Sequence, residues 1–108
     1  MSTSTQTTTT YHVSRDSADA WRDEDRAMAH ASIASVPTLA EAQAALVEYI
    51  EGEVKYLTTG RYVSASSLRR AADLLDGVKA VSGMTPKANS RTSIRTANLV
   101  WTIVRTER

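Results

Sequence analysis

Apolar residues recur with a helical period along residues 37–60. Leu39, Ala42, Leu46, Ile50, Val54 and Leu57 follow one another at steps of three or four, which sets them on one face of an α-helix. Thr38 and Glu41 supply a T-x-x-E capping box directly after Pro37, and Gly60 is the expected C-terminal stop. Glu48, Glu51 and Lys55 take the other faces, with Glu51 and Lys55 ordered as an i,i+4 pair. Gly52 weakens this helix and suggests a neighbouring helix in close approach.

The same period predicts a helix over 64–82, stopped by Gly83. Its expected buried face is Leu68, Ala71, Ala72, Leu75 and Val78, with Arg69 and Asp73 paired outside. A thinner stripe of Ala18, Trp21, Met28 and Val36 predicts a helix over 17–35, capped from among Ser14, Asp16 and Ser17 and ended by Pro37. In the last segment Ile94, Ala97, Trp101 and Val104 keep the helical rhythm, and Arg91, Arg95, Asn98, Thr102 and Arg105 keep it on the opposite side. The β-branched residues Val100, Thr102, Ile103, Val104 and Thr106 leave a strand over 94–106 as the alternative. Residues 2–10 are Ser and Thr with one Gln and cannot bury enough surface to hold a fixed structure. Tyr11 to Ser14 either extends into a short strand or leads into the first helix. The expected fold is therefore all-α. A disordered Ser/Thr-rich tail over 1–13 precedes a single helical domain over 14–108, a small antiparallel bundle of about four helices.

Composition narrows the picture. A chain of 108 residues has room for one domain, and its Leu, Ile, Val, Met, Trp and Tyr suffice for one modest core. The absence of cysteine excludes disulfides, thiolate metal sites and cysteine nucleophiles. No apolar run approaches the roughly 20 residues of a membrane span, so no membrane partner is expected. The N-terminus lacks the basic and apolar regions of a signal peptide, and a cytoplasmic location is the expectation. Arginine outnumbers lysine, and Phe and Cys are missing. This is the mark of a GC-rich coding sequence and points to a bacterial or phage accessory protein.

The net charge of +1 conceals a division. Residues 1–54 carry three basic and nine acidic groups, and residues 55–108 carry ten basic and three acidic ones. Either the halves pack together and neutralise one another, or the basic half meets a polyanion.

Catalytic chemistry finds no constellation. His12 and His30 have no second histidine at metal-ligand spacing, and Arg26 stands one turn before His30. Asp23, Glu24 and Asp25 would project about 100° apart on a helix, flanked by Arg22 and Arg26, and read as a solvated face. There is no G-x-S-x-G elbow and no glycine-rich phosphate loop. The expectation is a non-enzymatic protein with no metal, no cofactor and no small-molecule substrate.

Binding is what remains. The leading expectation is an adaptor, inhibitor or assembly factor acting through protein–protein contacts. Its partner is another protein or a second copy in a homodimer, and Tyr49, Tyr56 and Trp101 are the interface anchors. The alternative is a nucleic-acid-binding regulator in which Arg91, Arg95 and Arg105 meet phosphates or guanines and Asn98 reads a base. A helix-turn-helix fits poorly, because the connection over 83–90 exceeds the usual turn of three or four residues.

Overall fold

The structure, a computed structural model, describes residues 8–17, 30–60, 63–96 and 99–108. In chain order these form β1 (Thr9–Ser17), β2 (Ala31–Val36), α1 (Leu39–Thr58), α2 (Ala65–Val81), β3 (Ser90–Thr96) and β4 (Leu99–Glu107). The strands make one antiparallel sheet in the order β2-β1-β4-β3. The fold is thus α+β, not the expected all-α helical bundle, and the expected last helix gives way to strands.

The two helices with clear caps form where the periodicity puts them. Thr38 caps α1, its hydroxyl accepting the Glu41 amide at 3.2 Å and donating to the Glu41 carboxylate at 2.9 Å. Ser64 caps α2 by accepting the Ser67 amide at 3.1 Å. No described glycine has a positive φ, so Gly60 and Gly83 are not left-handed caps. The end of α1 is closed instead by hydroxyls, Thr58 on the Val54 carbonyl and Thr59 on that of Lys55.

The last segment is where the helical rhythm misleads. In the β3–β4 register Ile94 lies opposite Trp101, on the face that meets the helices, whereas Val104 pairs with Arg91 on the other face. Residues that fit one helical stripe therefore belong to two strands and two faces. Trp101 and Ile103 point to the core, Thr102 and Val104 away, and the β-branched run suits this alternation. Of the expected helix over 17–35, only the two ends are described, and they are strands. β1 runs to Ser17, β2 occupies Ala31–Val36, and residues 18–29 lie outside the described residues. Within β2 a bulge opposite Val13 and Ser14 leaves Ile33 packed on the core beside Val36. β1 starts at Thr9, inside the stretch assigned to the tail, while residues 1–7 lie outside the described residues.

One side of the sheet carries both helices, α1 over β1 and β2, and α2 over β3. The core between the layers is built on Trp101, Ile103, Val13 and Tyr11 from the sheet and Ala42, Leu46, Ile50, Leu74 and Val81 from the helices. Met84 enters from the link after α2, and its carbonyl accepts from the Gln43 side chain at 3.1 Å. The expected approach of a helix at Gly52 is not seen, since a Cβ there would meet nothing within 4 Å; the close approach is at Gly77, to strand β3. A Cβ on Gly77 would run into the Thr96 methyl. Thr96 is buried because its hydroxyl accepts the Trp101 indole N–H at 2.7 Å.

This junction can be tested by urea denaturation. Gly77→Ala should lower stability by about 1–3 kcal/mol, since overpacking outweighs a helix-propensity gain of at most about 1 kcal/mol. Thr96→Ser, which removes the methyl and keeps the acceptor, should recover most of that loss in the double variant. A Gly77→Ala protein at least as stable as the parent would contradict the close contact.

Candidate interaction surface

The three expected aromatic anchors occupy three different settings. Trp101 is fully buried at the centre of the sheet. Half-buried Tyr49 packs edge-on against it, with ring centroids 5.9 Å apart and planes at 65°. The Arg15 guanidinium lies over the Tyr49 ring at 5.8 Å and pairs with Glu53 at 3.2 Å, covering it from outside. Tyr56, two turns further along α1, is 79 % exposed. Of the three, only Tyr56 offers most of its ring to a partner.

The expected basic row is divided as well. Arg91 and Arg95 are exposed on β3 and share the sheet face turned away from the helices, with Ser93 between them. Arg105 is on the opposite face, where it pairs with Glu107, lies over the Tyr11 ring at 5.9 Å and reaches the Pro86 carbonyl at 3.5 Å. Asn98 lies outside the described residues, as do Arg61 and Tyr62. A strand alternates faces at every residue, so Arg91 and Arg95 stay together while Arg105 is turned away.

The face bearing Arg91 and Arg95 is rich in hydroxyls. His12 sits between Ser35 and Thr106, its ring nitrogens 2.9 and 3.2 Å from their oxygens, and Ser93 bonds Thr102 at 2.9 Å. His30 meets Asp16 at 2.7 Å. Each histidine is thus engaged by one or two side chains, and among the described residues no three His, Cys, Asp or Glu converge as a metal site.

The outer face of the helical layer is different in character. On α2 the residues turned inward are Ala71, Leu74, Gly77 and Val81. Leu68 and Leu75, expected in the core, are 51 % and 48 % exposed, with Ala72 exposed between them. The apolar arc of α2 is too wide for one contact, and the stripe Ala71–Leu74–Val78–Val81 takes the core position. That surplus width was the available sign that one stripe would be left outside. Beside it, a groove of about 590 Å³ runs between the helices, floored by Ala40, Ala44, Val47 and Val78 and rimmed by Glu48 and Glu51.

Comparison of the chain with protein-family models, with curated proteins and with solved structures finds no match. Among the described residues, no helix is long and apolar enough to cross a membrane.

The assignment of faces on α2 predicts contrasting variants. Leu74→Ala should cost about 2–5 kcal/mol of stability, as for a buried leucine. The double variant Leu68→Gln, Leu75→Gln should stay within about 0.5 kcal/mol per site, measured by urea denaturation at low protein concentration. Equal losses in both would place the second stripe in the core.

Proposed function

We propose that this chain is a small non-enzymatic binding protein that works through protein–protein contact, with the outer face of α2 as its contact surface. The observation that carries this reading is the pair of half-exposed leucines on one stripe, beside an apolar groove. Exposed apolar residues scattered singly need no explanation, but leucines aligned along one helix face favour a partner that covers them. Tyr56 is a separate exposed ring on α1 and is a secondary contact in this reading. A photo-crosslinking residue placed at Leu75 should give protein adducts in the native cell, and the same residue at Ser93 on the open sheet face should not. Adducts confined to position 93, or none at either position, would reject the helical face as the contact surface.

A second reading is binding of a nucleic-acid backbone on the open sheet face. It is favoured by Arg91 and Arg95, exposed on one face of an edge strand, with hydroxyl side chains beside them. In this reading a labelled DNA duplex binds at low salt, the binding weakens steeply as salt is raised, and Arg91→Ala with Arg95→Ala abolishes it. Fluorescence anisotropy that shows no binding at low salt would dismiss it.

A further inference from the structure

We propose that the partner of the α2 stripe is a second copy of this chain, packed across a two-fold axis at Ala72 with the two α2 helices antiparallel. The inference rests on the protein-contact reading above and names its partner. Its basis is the order of residues along the exposed stripe. Leu68 and Leu75 are seven residues apart, and each is followed directly by a charge of opposite sign, Arg69 after Leu68 and Asp76 after Leu75. A seven-residue repeat returns to nearly the same side of a helix, so the two leucines share one line and the two charges flank it on the same side.

Ala72 is four residues beyond Leu68 and three short of Leu75, close to the midpoint of both pairs. A two-fold axis there sets Leu68 against the partner's Leu75, and Arg69 against the partner's Asp76, twice over. A self-complementary patch of this kind is what a closed homodimer requires. Parallel packing of the same stripe would put the charged flanks of the two helices on opposite sides of the seam, where Arg69 meets no Asp76, so the charges favour the antiparallel arrangement. Small Ala72 at the crossing point lets the helices come close, and all four charged side chains lie at the solvated rim of the contact.

Among the described residues, nothing within one chain satisfies the same pairing. Arg69 and Asp76 are separated by about 10 Å of helix, two turns. Among the described residues, Asp76 has only a loose exposed contact with Lys79 at 3.8 Å, and Arg69 only a 3.5 Å contact with the Ala65 carbonyl. The sheet covers the inward side of α2, away from the stripe, and does not obstruct a second copy. The two-fold also brings the partner's Val63, an exposed apolar residue before the Ser64 cap, to the level of Val81 and Ser82 at the groove. One 17-residue helix against its copy is a small interface, so dissociation is expected at about micromolar concentration.

Sedimentation velocity of the full chain over a wide concentration range provides the test. The parent should pass from monomer to dimer, and Leu68→Gln with Leu75→Gln should remain monomeric. Arg69→Asp alone, and Asp76→Arg alone, should each weaken the dimer about five- to tenfold, because each places two like-charge contacts across the axis. The double variant Arg69→Asp, Asp76→Arg restores opposite signs only between chains and should recover most of the parent's affinity. Circular dichroism of each variant separates lost association from lost folding. A parent that stays monomeric to millimolar concentration overturns the inference, as does a dimer in which the charge exchange gives no recovery. If the parent is monomeric and position 75 still crosslinks to a different protein, the dimer falls while the protein-contact reading stands. If position 75 gives no adduct at all, both fall.

Discussion

The hydrogen bond from the Trp101 indole to Thr96 is the contact around which the rest of the core is arranged. A buried indole N–H without an acceptor would cost about 1–3 kcal/mol. The acceptor is the hydroxyl of Thr96, which the β3–β4 pairing places on the same sheet face as the tryptophan. Thr96 can be buried there only because α2 presents Gly77 to its methyl. One indole thus couples the sheet register to the depth at which α2 sits. It also sets the place of α1, whose Tyr49 stands edge-on to the same ring beneath the Arg15–Glu53 pair.

The central β1–β4 pairing decides what becomes of the divided charge. It joins the first described strand to the last along its whole length, from Thr9 opposite Glu107 to Ser17 opposite Leu99. The acidic and basic halves are therefore woven through one sheet. Neutralisation is local and partial: Arg15 meets Glu53 within the acidic half, and Arg105 meets Glu107 within the basic half. The basic edge strand β3 keeps Arg91 and Arg95 on the surface. Charge at an exposed edge also discourages pairing with another sheet, so these arginines have a structural use that is independent of any ligand.

With one side of the sheet covered by helices, the molecule presents two unlike surfaces. The open sheet face is bonded within itself through His12, Ser35, Thr106, Ser93 and Thr102 and carries few large apolar groups. The helical face carries Leu68 and Leu75 at about half exposure above a core that is already complete without them. Apolar surface left over after the core has closed is where association gains most, because its burial is opposed by no lost solvation of polar groups.

Helices α1 and α2 were legible in the sequence because their determinants are local. Capping residues Thr38 and Ser64 and a 3.6-residue period act within a few turns, and the ends fall within a residue or two of their expected places. Which face of α2 would be buried was not legible. Two apolar stripes compete on that helix, and the choice between them depends on Gly77 fitting over Thr96, a residue on another element. The strands were hidden for a related reason. β3 reads S-R-T-S-I-R-T, with little apolar alternation, and β4 read alone supports a helix as well as a strand. Only pairing resolves them: with β1 on one side and β3 on the other, the alternation of Trp101 and Ile103 against Thr102 and Val104 acquires an inside and an outside. The candidate residues divide along the same line. The sequence by itself determined that Tyr49, Trp101 and the arginines of the basic half exist and are spaced rhythmically. Tertiary structure decided that Trp101 is sealed, that Arg105 faces away from Arg91 and Arg95, and that Leu68 and Leu75 remain outside, because burial and strand facing are properties of contacts between segments distant in the chain.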